Sequence, residues 1–365
     1  MKYVIDKQSD KYAYITLYKQ IRDDIINGVY KFGEKLPSKR LVAEETGVSV
    51  ITVERAYTLL VDEGYIEGKQ RSGYFVIYSE DENYSVAEET QVVYHKKYTS
   101  DTFSFPYSVI ARSMRRVISD YGELLMEKSE NFGTMELRQS ISRYLNRSRG
   151  IVASPEQIFI GSGAEYLYGM IVEFLGREKI WGIENPSYQK IYQVYKAKGV
   201  NVKLLPLGKN GITSKALKNS NVDVLHISPY RSYPSGVTAS ASKRREYITW
   251  SQKNNGIIVE DDFESEFTLS KKTEETLFSL SDGGNVIYIN TFSKTISPSL
   301  RVAYMVLPQN LCEDFKKALG FYSCTVPAFE QYLIAHLINT SAFERHINSV
   351  RRKRRKESTK TGHHQ

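Results

Sequence analysis

Two cysteines, Cys312 and Cys324, are all that 365 residues contain, too few for a disulfide framework and in keeping with a reducing compartment. The six histidines, with His363 and His364 at the extreme carboxyl end, never fall at metal-ligand spacing beside Cys or acidic partners; no structural metal is expected. No apolar run approaches the roughly 18 residues that a membrane span needs. Met1 to Asp10 is polar rather than signal-like, so a cytoplasmic protein without membrane attachment is the expectation. Hydrophobic residues at 41% and charged residues at 25% exclude a fibrous or wholly disordered chain. The length exceeds one ordinary domain of about 100 to 200 residues and predicts two or three. Fifty Lys and Arg against 42 Asp and Glu leave a net charge of +8, which suits a polyanion-binding surface, although much of the excess sits in one run near the end.

Pattern says more than charge. Between Tyr14 and Val29 a helical stripe of Ile15, Leu17, Tyr18, Ile21, Ile25 and Ile26 precedes Asn27-Gly28, a stop signal. Ser38 is placed to cap a short helix ending at Thr46, Gly47 allows a tight turn, and Ser49 caps a third helix ended by Gly64. In that helix Val53, Ala56, Tyr57 and Leu60 fall at i, i+3, i+4 and i+7, leaving Thr52 and Arg55 on the opposite face. Two helices joined by a Gly-containing turn present the second to the DNA major groove. Tyr65 to Glu67 and Tyr74 to Val76 read as two strands around a polar loop, Gly68 to Gly73, whose Lys69 and Arg71 suit phosphate.

Helix, turn, helix and wing in this order resemble the DNA-binding domain of GntR-type bacterial repressors. The likeness rests on Leu36-Pro37-Ser38-x-Arg40, Gly47-Val48-Ser49, Thr52-Val53, Ala56-Tyr57, Leu60, Glu63-Gly64 and Ser72-Gly73-Tyr74-Phe75-Val76. The resemblance implies DNA contacts from Arg40, Ser49, Thr52, Arg71, Ser72 and Gly73. It also marks two departures: Val50 follows the serine cap where the family often has Arg, and Arg71 stands at a wing position that is often Gly.

Residues 1–78 are therefore read as the winged helix-turn-helix, 79–100 as a charged, Ser-rich linker without periodicity, and 101–345 as a larger α/β domain with a mostly parallel sheet. Its predicted strands are Gln157 to Gly161, Ile180 to Glu184, Val202 to Pro206, Val222 to Ile227, Gly256 to Glu260, Val286 to Asn290 and Val302 to Leu307. Ligand sites in such sheets gather beyond the carboxyl ends of the parallel strands, and three of these ends carry chemistry. Gly161-Ser162-Gly163-Ala164 leads into a helix whose start suits an anion. Glu260-Asp261-Asp262 forms a carboxylate cluster. Ser293-Lys294-Thr295 sets a lysine past a strand, with Arg301 seven residues on. A lysine to bond an aldehyde, an acid for a pyridinium nitrogen and an arginine for phosphate form a combination suited to pyridoxal 5'-phosphate.

The chain as a whole resembles fold-type-I, PLP-dependent aminotransferases, and especially MocR-type regulators, in which a GntR-like winged helix is fused to an aminotransferase-like body. Gly133-x-x-x-Leu137-Arg138, Glu184-x-Pro186-x-Tyr188, Pro229 with Tyr233-Pro234-Ser235-Gly236, and Leu300-Arg301 join the three strand ends in the family's order. The resemblance implies Lys294 as the Schiff-base lysine, Asp261 as partner of the pyridine nitrogen and Tyr188 as a ring stacked on the cofactor. Ser162, Gly163, Ala164, Thr291, Ser293 and Arg301 would surround its phosphate. Phe263 in place of a usual Tyr, Arg231-Ser232 in place of a common His-Gln pair, and Lys190 where a substrate-binding Arg can occur put turnover in doubt more than cofactor binding.

The family's smaller carboxyl-terminal domain, on the order of a hundred residues, is expected to be missing from this chain. Residues 346–365, with the run Arg351 to Lys356, are expected to fray. A missing carboxylate-clamping Arg predicts weak or absent transaminase activity. The expectation is a homodimeric, DNA-binding transcription regulator that takes PLP, or its adduct with a small amino compound, as effector or cofactor, and acts on an operator in double-stranded DNA. The alternative is a PLP-dependent aminotransferase carrying an accessory DNA-binding head.

Overall fold

The computed structural model describes Tyr3, Ile5 and residues 13–70, 72–79, 105–268 and 274–361, with side chains to Glu357. The chain divides into two units, Met1–Lys96 and Lys97–Gln365. The expected linker, from residue 80 to 100, lies outside the described residues, as does Arg71.

In the first unit, α1 (Ala13–Ile26), α2 (Lys39–Thr46) and α3 (Val50–Asp62) enclose a core of Leu17, Ile21, Val53, Ala56, Tyr57 and Leu60. Both expected caps form: Ser38 Oγ accepts from Leu41 N at 3.2 Å, and Ser49 Oγ accepts from Thr52 N at 3.1 Å. Each satisfies an N–H that the helix start leaves without a partner. Gly47 at φ 66° makes the left-handed turn between the two helices. Tyr57, fully buried on α3, donates from its hydroxyl to Pro37 O at 2.8 Å and so ties α3 to the loop before α2.

The wing is β1 (Ile66–Lys69) paired antiparallel with β2 (Gly73–Val76), from Ile66↔Val76 to Lys69↔Gly73. The strands run further toward the tip than expected. Gly68, Lys69 and Gly73 belong to them rather than to a six-residue loop, because Ser72 N closes a turn on Lys69 O at 3.0 Å.

The second unit is a three-layer α/β/α body. Eight strands are β3 (Ile158–Gly161), β4 (Ile180–Asn185), β5 (Asn201–Gly208), β6 (Gly211–Ile212), β7 (Val224–Ile227), β8 (Ile257–Asp261), β9 (Val286–Thr291) and β10 (Ala303–Val306). They lie in the order β3-β10-β9-β8-β7-β4-β5-β6. The run from β9 to β5 is parallel, whereas β10 is antiparallel to both its neighbours and the short β6, which the sequence reading missed, is antiparallel to β5. Near-continuous burial along β7, β9 and β10 reflects a sheet covered on both faces.

Side chains alternate between the faces. Ile287 and Ile289 join a core with α6 (Ala164–Leu175), α7 (Gln189–Ala197) and α11 (Gln309–Leu319). Val286 and Tyr288 face the other core, with α4 (Tyr107–Tyr121), α5 (Met135–Arg149), α8 (Ser214–Lys218), α9 (Ala241–Asn254), α12 (Ala328–Asn339) and α13 (Ala342–Thr361).

The expected fraying from residue 346 is corrected: α13 continues to Thr361. Phe343, Ile347 and Val350 at i, i+4 and i+7 are buried, and the basic run then docks. Arg351 Nε donates to Glu266 O at 2.5 Å, and Arg354 lies over the Phe267 ring at 4.8 Å. Reading the arginine run alone conceals a stripe that begins upstream of it and a guanidinium that packs as well as charges.

Candidate functional site

Strand register, rather than nearness in sequence, assembles the ends that carry chemistry. Ala303 is paired with Gly161 on one side and Thr291 on the other, so the Ser162-Gly163-Ala164 turn, Arg301 and the Thr291-to-Lys294 segment leave the sheet along one edge. Asp261 pairs with Ile289 on that same side of the sheet.

The three successive acids 260–262 do three different things. Glu260 accepts from Leu277 N at 2.7 Å and Phe278 N at 2.9 Å, opening the short helix α10 (Leu277–Leu280). Burial pushes its carboxyl up to about 8, and the charge of Asp262 adds to the rise. Asp262 accepts from Arg149 Nη2 at 2.7 Å and Tyr288 OH at 2.8 Å, a buried ion pair with 4% and 3% of the two side chains exposed.

Asp261 turns to the opposite face. Its Oδ2 accepts from the buried Tyr168 hydroxyl on α6 and lies 3.6 Å from His226 Nε2 on β7, while Tyr195 OH on α7 meets His226 Nδ1 at 2.5 Å. The Oδ1 of Asp261 and the Nε2 of His226 are buried without a hydrogen-bond partner. An unmatched buried carboxylate oxygen is costly, and a ligand N–H is the kind of group that would complete it.

The anion end is built by α6 and the loop before β10. Gly163 sits at φ 107°, and a Cβ there would come within 2.6 Å of Arg301 Nη2, so only glycine lets the guanidinium lie against this turn. Arg301 itself takes φ 49°. The Ser162 N–H is engaged by Thr325 Oγ1 at 3.1 Å and the Gly163 N–H by Gly161 O at 2.8 Å. Thr291 Oγ1 is engaged on both sides, accepting from Ser293 N at 3.1 Å and donating to Val302 O at 3.2 Å. Ser293 Oγ is buried and has no partner.

Arg301 pairs with Glu165 Oε2 at 2.5 Å, and Lys190 approaches Glu165 Oε1 at 3.4 Å. Burial works to raise the Glu165 carboxyl, but the Arg301 guanidinium, with Lys190 behind it, leaves it below the ordinary value. Glu165 therefore occupies the Arg301 guanidinium.

Lys294 is exposed and makes no hydrogen bond or ion pair among the described residues. Tyr188 opens α7 half-exposed, its ring edge-on to Tyr233 at 5.9 Å. On β4, Glu184 is buried and accepts from Ser228 N at 3.2 Å and Ser232 Oγ at 2.5 Å; burial pushes it up to about 7. Ser232 thus has an internal structural partner. Arg231 extends toward Glu264 at 3.9 Å, a carboxylate that Arg354 of α13 also reaches at 3.6 Å.

Sequence reasoning missed Glu165, Tyr168, His226, Tyr195 and Thr325. Tyr168 had a signal, lying one helical turn past Ala164 on the face toward the sheet. His226, on β7 beside β8, had one too, once strand order was known.

In the head, Arg40 and Ser49 are exposed, and Thr52 Oγ1 lies 2.9 Å from Ser49 Oγ at the start of α3. Ser72 is exposed at the wing tip, and Gly73 at φ 115° lies against the Lys35 side chain. Among the described residues no group of His, Cys, Asp and Glu could hold a metal ion, and no helix is long and apolar enough to cross a membrane.

A helix-turn-helix with a wing, joined to an α/β body of the aminotransferase kind, defines the class. Residues 13–76 match the bacterial regulatory proteins of the gntR family, and residues 106–361 match aminotransferase class I and II. The chain belongs to the MocR-type group, which joins these two parts. It is 30% identical over 97% of its length to the uncharacterized HTH-type transcriptional regulator YdeL of Bacillus subtilis, of which it spans 79%. It is 26% identical to the probable rhizopine catabolism regulatory protein MocR of Rhizobium meliloti, over 96% of this chain and 76% of that one. With the pyridoxine biosynthesis transcriptional regulator PdxR of Corynebacterium glutamicum it shares 26% over 92% of this chain and 75% of that one.

Among solved structures it is similar to Pyrococcus horikoshii kynurenine aminotransferase, at a TM-score of 0.63 and 24% identity over 68% of this chain and 64% of that one. It is also similar to LysN, an α-aminoadipate aminotransferase from Thermus thermophilus complexed with N-(5'-phosphopyridoxyl)-L-leucine. There the TM-score is 0.62 and the identity 25%, over 71% of this chain and 67% of that one. The match to kynurenine aminotransferase covers less than two thirds of that enzyme.

Proposed function

We propose that the protein is a cytoplasmic transcription regulator that reads an operator with its winged helix and senses pyridoxal phosphate, or its adduct with a small amino compound, in its body. The observation that carries this reading is the unpartnered Oδ1 of Asp261, buried at a parallel strand end and fixed from the other oxygen by Tyr168. Such an oxygen suits a protonated ring nitrogen. The residues present fit the group in other respects: Gly163 clears room for Arg301 beside the α6 start, and Ser293 Oγ is available to an anion. A phosphopyridoxyl compound in LysN, a structure with the same fold, supports the assignment.

When bound, the cofactor supplies an aldehyde for amine exchange and a ring that withdraws electrons. In this chain Lys294 would provide the primary amine that attaches to the aldehyde, and Asp261 would keep the ring nitrogen protonated. Tyr188 would cover one ring face. Arg301 and Ser293 would hold the phosphate, with Ser162, Gly163, Ala164 and Thr291 shaping the turn that surrounds it. In the head, Arg40, Ser49, Thr52 and the wing from Arg71 to Gly73 would contact DNA, the hydroxyls and backbone positioning the helix on phosphates. Two heads on a homodimer would match paired half-sites.

Purified full-length protein incubated with pyridoxal phosphate should acquire a visible absorbance band that Lys294→Ala abolishes, and its affinity for a selected operator should change with the ligand present. A wild-type spectrum indistinguishable from that of Lys294→Ala would sink the cofactor assignment. The second reading, an aminotransferase with an accessory head, is favoured by the fold of the body. It predicts conversion of bound cofactor to its amine form by an amino acid on a catalytic timescale, which single-turnover spectroscopy resolves.

A further inference from the structure

The leading end of α3 carries two exposed apolar side chains. Val50 and Ile51, the first two residues of the helix, are 43% and 65% exposed, and neither belongs to the core of the head. At 100° per residue Ile51 shares an outward stripe with Arg55 and Thr58, opposite the buried Val53, Ala56, Tyr57 and Leu60.

Helix formation does not account for them. Ser49 already caps the helix, and β-branched residues are poorer helix formers than the polar residues usual on an exposed turn. Three of the neighbouring polar groups are engaged within the head, and Arg55, exposed one turn further on, is a polar group of the same stripe. Glu54 is held by Lys39 Nζ at 2.5 Å, Thr58 Oγ1 donates to Glu54 O at 2.9 Å, and the Thr52 hydroxyl meets Ser49 Oγ. At the first two positions of this helix the groups presented outward are hydrocarbon.

The first residues of the second helix of a helix-turn-helix stand nearest the base edges, and the apolar feature of the major groove is the thymine 5-methyl. We propose that Val50 and Ile51 read thymine methyl groups, so that the preferred site carries T·A pairs under the start of α3, where a helix led by arginine selects guanine. The inference rests on the DNA-binding reading of the head and adds the base chemistry that the head selects.

The test enriches duplexes from a randomised pool with the full chain, then replaces each thymine of the enriched site by deoxyuridine. This removes the methyl and leaves base pairing intact. One or two thymines per half-site should each lose about fourfold in affinity, the worth of one methyl-sized apolar group, with little change elsewhere. Ile51→Ala and Val50→Ala, with melting midpoints matching wild type, should bind the thymine and uracil duplexes equally at those positions. Wild-type binding indifferent to uracil at every position, or an enriched site with G·C pairs where these two side chains act, overturns the proposal and leaves DNA binding standing. Failure to enrich any duplex overturns both.

Discussion

Asp261 and Asp262 are neighbours in the chain and equally buried, each with 3% of its surface exposed, yet the two faces of the sheet treat them differently. On the α5 side, Asp262 Oδ2 accepts from a guanidinium and a phenol, so its charge is paired with a cation. On the α6 side, Asp261 has one oxygen bonded to Tyr168 and the other left without a partner. A carboxylate whose charge the fold pairs with a guanidinium is part of the fold; one left with an unpartnered buried oxygen is available to something else. The same contrast separates Thr291, whose hydroxyl is engaged twice, from Ser293, whose hydroxyl is unpartnered.

The largest expected effect breaks this contrast if it fails. Asp262→Ala strands the Arg149 charge in the interior and should lower the unfolding free energy by about 3 to 5 kcal/mol. Asp261→Asn, which keeps an acceptor for Tyr168, should cost under about 1 kcal/mol while weakening pyridoxal phosphate binding. Urea unfolding followed by tryptophan fluorescence reads the body alone, because both tryptophans, Trp181 and Trp250, lie there. Equal losses for the two variants would show that the faces do not differ as described.

A smaller effect lies in pH. Burial raises Glu260 to about 8 and Glu184 and Glu266 to about 7, against an ordinary value of 4.5. The folded state therefore binds protons that the unfolded chain has released. The stability from these groups is fully present below about 4.5 and is lost as pH rises through about 7 to 8, at no more than about 1.4 kcal/mol per pH unit for each. Melting midpoints should fall across that window, and Glu260→Gln should flatten its upper part. A midpoint that rises with pH would contradict the neutral state of these buried acids.

The smallest effect concerns the half-satisfied face. Glu165→Gln releases Arg301 and removes a negative charge from the anion end. Pyridoxal phosphate should then bind about fivefold more tightly at low ionic strength, the worth of a partly exposed ion pair, with the gain fading as salt screens it. Fluorescence titration at two salt concentrations measures this. Weaker binding by Glu165→Gln would mean that Glu165 helps to hold the ligand rather than competing with it.

Much of the fold was legible because it depends on local rules. The strand expected over Val286 to Asn290 runs Val286–Thr291, and that expected over Ile180 to Glu184 runs Ile180–Asn185. Continuous apolar runs between turn residues leave little alternative in a doubly covered sheet. In the head, Ser38, Gly47 and Ser49 announced their own caps and turn, and the buried stripe of α3 followed from its period. The docking of α13 was hidden because its arginines meet Glu264, Glu266 and Phe267 from a distant part of the chain.

The candidate site was legible in kind rather than in arrangement. Lys294, Asp261, Arg301 and the Ser162-Gly163 turn can be picked out by residue type and by their places at strand ends. Which acid of the 260–262 run faces which way cannot, because Arg149 comes to Asp262 from 113 positions away and Tyr168 to Asp261 from 93. Nor does the sequence disclose that Glu165 takes Arg301, a contact across 136 positions.

The sequence by itself determined where helices and strands form, which residues cap them, and which chemical types stand at their ends. Those depend on backbone sterics, side-chain period and hydrogen bonding within a few residues. Only the tertiary structure decided which polar groups end with every partner filled and which are left one short. That depends on the order of strands in the sheet and on charges brought together from more than a hundred positions apart, 113 for Arg149 and Asp262 and 136 for Glu165 and Arg301.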